Sequence, residues 1–403
     1  MKVCIIATEN YLYDSRMYWK EACSLKNHGY SVTCIVMSDI SKEEMGGITE
    51  HGIEYFKFRL YPNELFNVVN RPLFYEHTFS RKTFDRIFEV ASTKKIDIYH
   101  LHGLYSLMFV NKLKKINNKS KIIYEDREFY PDAIRDYNIT KGFKTVNKNL
   151  YSYYMDLWER YNAAKCDHII TTDKFIANRF KSKFLNKNVD IVYNFTNIKP
   201  IKEVDYNKKV YDMIYCGVVT KVRGGIMQLL QSVQIGKKYK RDIKLLIIGS
   251  IENSLHNEML NFIKKNELDN NVKLLGRIDF SQLPYYLEKS KVGMVTLLPI
   301  PKYKKNIPMK QFEYMAYGLP VVGSNLPPIS EFTGKSNCGI LVNPLKPEEI
   351  WHAVDKILND INLYKVYSNN GINMVKTKYN WRISEERLIN IYINLLSMGG
   401  KNE

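Results

Sequence analysis

The chain has 403 residues, of which 45% are hydrophobic, and this length and composition provide for two domains with full cores. Its formal net charge of +18 favours polyanionic partners such as nucleic acid, anionic lipid or phosphorylated substrates, with a lysine-rich surface of no specific role as the alternative. The hydrophobic runs are too short to span a bilayer, and Met1 to Thr8 is predicted to be a first strand rather than a signal peptide.

Cysteine and histidine usage points away from disulfides and metals. The six cysteines are scattered without a C-x-x-C pair, which predicts buried thiols in a reducing compartment. The eight histidines are dispersed, and His100 and His102 are the only close pair. We therefore predict no metal site.

The first half of the chain alternates apolar strands with helix-length segments. A helix is predicted over Asp14 to Asn27, with Asp14 as its N-cap, and another over roughly 81–93. Strands that are separated by helices pair in parallel, so this half predicts a doubly wound sheet. Its strands are expected at Lys2–Ala7, Ser31–Met37, Ile53–Arg59, Asp97–His102, Lys121–Glu125, Asp167–Thr172 and Val189–Tyr193.

The same alternation restarts after the polar segment Lys199 to Lys209, which we interpret as a linker. The prediction is an N-terminal Rossmann-like domain over 1–198, a C-terminal Rossmann-like domain over 199–380, and a crossover helix and tail over 381–403 that returns to the first domain. Ligands of such sheets bind at the carboxyl ends of the strands, so the expected site is a cleft between the domains. The strands of the second half are expected at Tyr211–Gly217, Ile243–Gly249, Val272–Leu275, Val292–Leu297, Leu319–Gly323 and Gly339–Val342.

The stretch Asn306 to Asn325 is predicted to contain a helix between a loop and a strand. Pro308 suits the entrance of the helix, and Gly318 followed by Pro320 ends it. Glu313 places a carboxylate on a helix whose apolar residues are expected to face a core. From the residues alone, Glu313 is either a solvated helix charge or a group that binds a ligand.

Several motifs occur in order along nearly the whole chain. The strongest is P-x-K-x-F-E-Y-M-A-x-G-x-P-V at Pro308 to Val321, and Y-x-G-x-x-x-x-x-R-G follows at Tyr215 to Gly224. The others are IIGS at 247–250, NVKLLGR at 271–277, D-S-R-M-x-x-K-E-A at 14–22, DIYHLH at 97–102 and Y-E-D-R-E-x-Y-P at 124–131. Together they resemble the retaining glycosyltransferases of family 4, which have the two-domain GT-B fold. The resemblance implies a nucleotide-sugar donor in the C-terminal domain, an acceptor in the N-terminal domain, and no cofactor.

The resemblance assigns donor-binding roles in the second half. Glu313 matches the family glutamate that bonds the donor ribose, and its burial would be offset by charge-assisted hydrogen bonds. Lys310 faces either the diphosphate or solvent. Lys305 replaces another family glutamate, so contacts with the sugar are expected from the segment that follows it, Asn306, Ile307, Pro308 and Met309.

The diphosphate is expected near the first strand of the second domain. Arg223 stands where the family has a lysine, and Val218 stands where it has an arginine, so Lys221 is a candidate for the missing cation. A surface arginine in a turn is the alternative for Arg223. The resemblance implies that side chains and a helix N-terminus, rather than a metal, stabilise the leaving group. The remaining predicted donor contacts are Gly217, Gly224, Gly249 and Arg277.

In the first domain, His102 ends a strand and is predicted to be catalytic, close to the acceptor or the transferred sugar. A histidine bonded to backbone is the alternative. Asp14, Arg16 and Glu128 are the predicted acceptor-side residues. A helix cap is the alternative for Asp14, and a helix-start carboxylate beside Arg127 is the alternative for Glu128.

The segment Lys141 to Tyr161 mixes lysines with aromatic residues. It is either a basic amphipathic helix that lies on an anionic membrane, or a long helix that packs its aromatics inward and leaves its lysines solvated. The expected location is cytoplasmic, with peripheral attachment to the inner face of the plasma membrane in the first case.

The leading hypothesis for function is a metal-independent retaining hexosyltransferase, EC 2.4, of polysaccharide biosynthesis. It would move a sugar from a nucleotide-diphosphate donor to a hydroxyl of a cell-surface glycan or lipid-linked acceptor. A transferase acting on DNA or another polyanion is the second hypothesis. A catalytically degenerate GT-B partner subunit is the third, because Lys305 and Val218 depart from the family pattern.

Overall fold

The computed structural model describes residues 1–38, 44–58, 81–128, 130, 147–182, 188–201, 203–221, 223–239 and 241–397. The chain divides into two compact units: the first comprises Met1–Asn194 and the segment from Trp381 onward, and the second comprises Phe195–Asn380. The second unit begins at Phe195 rather than at 199, because the Phe195 ring packs against Phe312 and Tyr379 of that unit, with centroids 5.0 and 5.4 Å away.

The first unit is built on an eight-stranded sheet. Its strands are β1 (Lys2–Ala7), β2 (Ser31–Met37), β3 (Met45–Ile48), β4 (Glu54–Phe58), β5 (Ile98–His102), β6 (Lys121–Asp126), β7 (His168–Thr171) and β8 (Val189–Ile191). They lie in the order β3-β4-β2-β1-β5-β6-β7-β8. The central strands β1 and β5 are buried along almost their whole length, as expected for strands that are covered on both faces.

Strand β3 is an exception to the predicted parallel pairing. It runs antiparallel to β4 at the edge of the sheet, with Met45 opposite Lys57. Its sequence, Met-Gly-Gly-Ile, is mostly exposed and has two glycines, so it carries neither strand propensity nor an alternating pattern. The pairing with β4, rather than the local sequence, makes this segment a strand.

Helices cover the first sheet. The predicted helix after β1 is present as a π-helical segment, Met17–Ala22, that continues into α1 (Cys23–Asn27). The last helix of the chain packs in this unit, where the Trp381 indole Nε1 donates a hydrogen bond of 3.0 Å to Ser24 Oγ. The other helices are α2 (Arg81–Ser92), α3 (Val110–Ile116), α4 (Lys148–Ala163), α5 (Lys174–Lys181) and, at the end of the chain, α13 (Trp381–Ser397).

The second unit is built on a six-stranded sheet in which all pairs are parallel. Its strands are β9 (Tyr211–Cys216), β10 (Leu245–Ile248), β11 (Val272–Gly276), β12 (Ser290–Val295), β13 (Val321–Ser324) and β14 (Gly339–Val342), in the order β11-β10-β9-β12-β13-β14. Its helices are α6 (Ile226–Lys238), α7 (Asn253–Lys265), α8 (Leu283–Glu288), α9 (Lys310–Ala316), α10 (Pro327–Ile329), α11 (Pro347–Asn359) and α12 (Ile361–Thr377). The prediction of two doubly wound sheets is thus confirmed.

Both sheets have a point at which the strand order reverses. It lies between β1 and β5 in the first sheet and between β9 and β12 in the second. Ligands of doubly wound sheets bind at the carboxyl ends of the strands at such a point. Among the described helices, none has the length and apolar character of a membrane span.

Candidate active site

Two glycines shape the carboxyl end of β9 in the second unit. Gly217 follows the strand directly, and Gly249 follows β10 beside it. Gly249 has a φ of +141°, and a Cβ at this position would lie 2.0 Å from the carbonyl oxygen of Gly217. Only glycine lets the two backbones come this close. The result is a backbone shelf between the carboxyl ends of β9 and β10, with β12 on the other side of β9.

The turn after β9 leads into helix α6. The backbone N–H of Arg223 donates to the carbonyl oxygen of Thr220 at 3.1 Å, and the Thr296 hydroxyl, just after β12, donates to the carbonyl oxygen of Gly224 at 2.7 Å. Gly225 is the N-cap of α6 and offers no side chain to its first N–H groups. The N-terminus of this helix therefore lies next to β9 and β12 with its N–H groups directed to a site that suits an anion.

Lys310, the first residue of α9, lies against the same shelf. Its Nζ is 3.5 Å from the centroid of the Tyr215 ring, and a Cβ at Gly217 would lie 3.2 Å from Nζ. The side chain is buried, and among the described residues Nζ has no hydrogen-bond partner. Burial and the nearby positive charge of Arg223 lower the pKa of Lys310 to about 7. Burying the charged form of this amine without a partner costs free energy, and a bound anion would offset that cost.

Arg223 and Glu313 complete this group. The Arg223 Nε is buried and has no hydrogen-bond partner within the described part of the chain. Glu313 is 8% exposed on the same helix as Lys310, so it is not the solvated helix charge that one interpretation of the sequence required. The structure therefore brings together Gly217, Gly224, Gly249, Arg223, Lys310 and Glu313.

The segment before α9 is half-buried. Asn306, Ile307, Pro308 and Met309 are all in this state. The backbone of Asn306 donates to Lys302 at 3.0 Å, and its Oδ1 atom is buried without a hydrogen-bond partner in the described residues. An amide in this condition is suited to a hydroxyl group of a ligand.

Two predicted donor residues lie apart from this group. The Lys221 side chain is exposed, and its Nζ lies 3.8 Å from the Glu258 carboxylate on α7. Lys221 therefore makes an exposed ion pair with α7. Arg277 follows β11 and is exposed, two strands away from β9 in the sheet.

In the first unit, His102 ends β5 at the point where the strand order reverses, opposite Ala7 of β1. It is fully buried, and its Nε2 lies 3.0 Å from Glu21 Oε2, but neither ring nitrogen makes a hydrogen bond of good geometry among the described residues. Burial and the positive charges of Arg127 and Arg16 lower the pKa of His102 to about 4. The imidazole is therefore neutral at neutral pH.

A buried charge cluster surrounds this histidine. We use the name His102 cluster for His102, His100, Glu21, Glu125 and Arg16. Arg16 Nε donates to Glu125 Oε1 at 2.7 Å and lies 2.8 Å from Glu21 Oε1. Burial and the neighbouring Glu125 raise the pKa of Glu21 to about 8, whereas Arg16 holds the pKa of Glu125 well below its usual range in spite of burial. The cluster thus contains one carboxylate, one carboxylic acid and one guanidinium at neutral pH.

The His102 cluster also has the composition of a metal site. Ligand atoms of Glu21, His100, His102 and Glu125 all lie within 4.8 Å of one another, which the sequence did not indicate. The Arg16 guanidinium contacts the carboxyl groups of both Glu21 and Glu125 and supplies the positive charge that a metal would bring. A divalent cation would be repelled by Arg16, so these residues do not fit a metal ion.

The predicted acceptor-side residues have separate surroundings. Arg16 is fully buried in the His102 cluster. Asp14 Oδ1 accepts hydrogen bonds from the backbone N–H of Met17 at 2.8 Å and from Arg127 Nη1 at 3.0 Å, so Asp14 caps a helical segment. Glu128 is half-buried just after β6, and its backbone N–H donates to Asp126 at 3.0 Å.

Glu9 is a candidate that the sequence analysis missed. It follows β1, and a Cβ at Gly103, the residue after His102, would lie 3.0 Å from Glu9 Oε1. Tyr130 donates its hydroxyl to Glu9 Oε2 at 3.0 Å, and burial raises the pKa of Glu9 to about 7. The sequence feature that could have identified Glu9 is its position two residues after the buried strand β1.

Two protein families together match most of the chain. A family described as "Glycosyl transferases group 1" matches residues 198–374, and "Glycosyltransferase Family 4" matches residues 18–199. An uncharacterized glycosyltransferase of Methanocaldococcus jannaschii is 23% identical over 350 residues, which cover 84% of this chain and 78% of that one. The capsular polysaccharide biosynthesis glycosyltransferase CapM of Staphylococcus aureus is 25% identical over 198 residues, 48% of this chain and 50% of CapM.

Solved structures share the fold. Sucrose-phosphate synthase from Thermosynechococcus elongatus superposes with a TM-score of 0.73 and 15% identity, covering 98% of this chain and 99% of that one. Anabaena HepE in complex with UDP-glucose gives a TM-score of 0.71 and 12% identity, covering 98% and 100%. These neighbours confirm the predicted GT-B fold class.

Proposed function

Because this chain belongs to the retaining glycosyltransferases of family 4, we propose that it moves a sugar from a nucleotide diphosphate to a hydroxyl group of a cell-surface glycan or a lipid-linked precursor. The observation that carries the proposal is the group at the carboxyl end of β9. It combines two cations whose buried nitrogens have no described hydrogen-bond partner, Lys310 and Arg223, with a helix N-terminus. A diphosphate supplies the negative charge that these groups lack.

The same groups account for catalysis in the proposal. Cleavage of the sugar–phosphate bond leaves additional negative charge on the diphosphate. Lys310 and Arg223 stabilise this charge, and they need no rearrangement because the shelf and Tyr215 already hold Lys310 in place. Glu313 binds the ribose hydroxyls, and the half-buried segment with Asn306 contacts the transferred sugar.

The relatives supply the donor and acceptor classes to test first. HepE of Anabaena binds UDP-glucose, so a uridine diphosphate hexose is the first donor to test. CapM acts in capsular polysaccharide biosynthesis, which favours a glycan acceptor. We place the acceptor in the first unit near Glu9, His102, Asp14 and Glu128. The protein would work in the cytoplasm, attached peripherally to the inner face of the plasma membrane.

A transfer assay tests the proposal. The purified protein is incubated with a panel of nucleotide sugars and with short glycan, lipid-linked glycan and DNA acceptors, and products are identified by mass spectrometry. We expect a glycosylated glycan or lipid-linked product with the anomeric configuration of the donor. Glycosylated DNA would favour the polyanion hypothesis. Donor binding without transfer or donor hydrolysis would favour a degenerate partner subunit.

Transfer should be independent of metal ions. In the proposal, protein cations and a helix N-terminus stabilise the leaving diphosphate, and Arg16 opposes a cation in the His102 cluster. The initial rate in excess EDTA should therefore equal the rate in untreated buffer. Loss of the rate in EDTA with recovery on adding manganese would contradict this mechanism.

Nucleotide binding should take up a proton on Lys310. The lysine has a pKa of about 7 in the free protein, below the usual lysine pKa of 10.5, and a diphosphate would raise it again. At a pH of about 8.5 the free amine is mostly neutral, so we expect uptake that approaches one proton per nucleotide, falling toward zero at a pH of about 6. Calorimetric titration with UDP in buffers of different ionisation enthalpy measures this number.

Two variants make that experiment specific. Lys310→Met should abolish the proton uptake, whereas Lys291→Met, which removes a lysine paired with Asp212 at 2.9 Å in the same unit, should preserve it. Uptake that persists in Lys310→Met would assign the proton to another group.

The same pKa sets the sign of a stability effect. Between about pH 7 and 10.5 the unfolded chain binds more protons at Lys310 than the folded chain does, so this residue makes the free energy of unfolding rise with pH.

A further inference from the structure

Glu9 lies at the carboxyl edge of the first sheet, where the strand order reverses. It follows β1, and Gly103 follows the neighbouring strand β5. Gly103 has a φ of +78°, and a Cβ at this position would lie 3.0 Å from Glu9 Oε1 and 3.2 Å from the Tyr130 hydroxyl. The Glu9 carboxyl and the Tyr130 hydroxyl therefore pack against the backbone of this glycine, at a position where doubly wound sheets bind ligands.

The two carboxyl oxygens of Glu9 have different surroundings. Oε2 accepts a hydrogen bond of 3.0 Å from the Tyr130 hydroxyl. Oε1 is buried and has no hydrogen-bond partner in the part of the chain that the structure describes. A buried carboxylate oxygen without a donor costs free energy, which a ligand that donates a hydrogen bond would offset. Glu9 as a whole is half-buried, so part of this residue reaches the surface of the unit.

The charged groups around Glu9 leave its ionised form only weakly favoured at neutral pH. Burial raises the pKa of Glu9 to about 7, and the negative charge of Glu128 acts in the same direction. The Tyr130 hydroxyl, the backbone N–H of Tyr105 and the positive charge of Arg127 lower this pKa but offset only part of the effect of burial. Because Arg127 already supplies a positive charge, the free oxygen suits a neutral donor such as a hydroxyl group better than a second cation.

We infer that Glu9 binds the attacking hydroxyl group of the acceptor, with Oε1 accepting its hydrogen bond. The inference deepens the proposed function and rests on it, because an attacking hydroxyl exists only if the chain transfers a sugar. A hydrogen bond to a fixed carboxylate sets the direction in which the hydroxyl oxygen faces the sugar. Glu9 touches the substrate in this arrangement, and Tyr130 is a positioning residue that holds the carboxyl group through Oε2.

Steady-state kinetics with a varied acceptor and a saturating nucleotide sugar test the inference. UDP-glucose is the first donor, and a panel of p-nitrophenyl glycosides supplies soluble acceptors. The variant is Glu9→Gln, which keeps the size of the side chain and removes its charge. The matched control is Glu54→Gln. It changes another half-buried carboxyl group of the same unit, at the amino end of β4, where Glu54 accepts a hydrogen bond of 2.8 Å from Thr33.

Glu9→Gln should lower kcat/KM for the acceptor about tenfold or more, the scale of one hydrogen bond to a charged group. The dissociation constant for UDP and the melting temperature should equal those of the wild type, because the proposed diphosphate site lies in the second unit and the substitution is nearly isosteric. Glu54→Gln should match the wild type in all three measurements.

The pH profile separates this role from a structural one. In the wild type, kcat/KM for the acceptor should rise with pH through about 7 as Glu9 ionises, and the rise should be absent in Glu9→Gln. Tyr130→Phe should move the rise to higher pH, because the hydrogen bond that this substitution removes stabilises the ionised carboxyl group.

Acceptor kinetics of Glu9→Gln within twofold of the wild type would overturn the inference, and a buried water molecule would then be the partner of Oε1. A rise with pH that persists in Glu9→Gln would overturn it as well. If Glu9→Gln melts at a lower temperature, the pH profile of Tyr130→Phe decides, and an unchanged profile contradicts the inference. A wild type that transfers sugar while Glu9→Gln behaves identically refutes the role of Glu9 alone, whereas a wild type that transfers no sugar refutes the proposed function.

Discussion

Replacing Arg223 by alanine should lower the turnover of sugar transfer by about 100-fold or more, the usual cost of losing one preorganised electrostatic group. The Arg223 Nε is buried without a hydrogen-bond partner in the described residues, at the end of the strand where the diphosphate is proposed to bind. The lost interaction strengthens as charge develops on the leaving group, so turnover should fall more than donor affinity. Steady-state rates at saturating donor measure the effect.

Arg241→Ala is the matched control for this experiment. Arg241 belongs to the same unit, its side chain is 49% exposed, and it pairs with Asp355 at 3.6 Å. Its removal should leave turnover unchanged, and both variants should have the same melting temperature as the wild type. Turnover of Arg223→Ala within twofold of the wild type would mean that Lys310 and the N-terminus of α6 are sufficient for the leaving group.

Replacing Arg16 by methionine should destabilise the first unit by about 3–5 kcal/mol, the usual cost of removing one partner from a buried ion pair. Arg16 is fully buried and contacts Glu125 and Glu21 at 2.7 and 2.8 Å. Without the guanidinium, these two side chains stay in the core without a neutralising cation. At roughly 2–4 °C per kcal/mol for a unit of this size, the melting temperature should fall by about 6–20 °C.

Two further variants identify the cause of this loss. Arg382→Met removes an arginine of the same unit whose side chain is 76% exposed and whose ion pair with Glu386, at 3.9 Å, is loose and screened by solvent. This substitution should change the free energy of unfolding by less than about 0.5 kcal/mol. Glu125→Gln should recover part of the loss when it is combined with Arg16→Met, because it removes the remaining buried charge. A melting temperature of Arg16→Met within about 1 °C of the wild type would show that the cluster is dispensable.

Local patterns account for the parts of the fold that the sequence predicted well. Continuous apolar runs such as Lys2–Ala7 and Ser31–Met37 are typical of strands that are buried on both faces, and the structure has strands with these same bounds. The helix after Asn306 was recognised from Pro308 and Gly318, which act through the conformation of their own backbone. By contrast, β3 has no local pattern and depends on its pairing with β4.

The same contrast between local sequence pattern and tertiary packing holds for the side chains of the candidate site. The motif around Glu313 and the position of Arg223 were visible because their residues are close in the chain. The sequence left Lys310 open between solvent and diphosphate, and only its packing against Tyr215 and Gly217 showed that it is buried. The proposed roles of these residues stay predictions until the variants are measured.

The sequence by itself determined the fold class, the family and the stretches that contain the proposed donor-site motifs, because strand runs, helix ends and spaced motifs depend on residues near one another in the chain. Tertiary structure alone decided which charges are buried and which apolar residues are exposed. Arg16 and Glu125 lie 109 positions apart and meet only because the parallel order β1-β5-β6 brings the segment that follows β1 and the end of β6 to one edge of the sheet. On α4, Leu150, Tyr153 and Leu157 are likewise exposed because the opposite face of this helix fills the core. Such pairings depend on the register and packing of distant elements, and no local pattern encodes them.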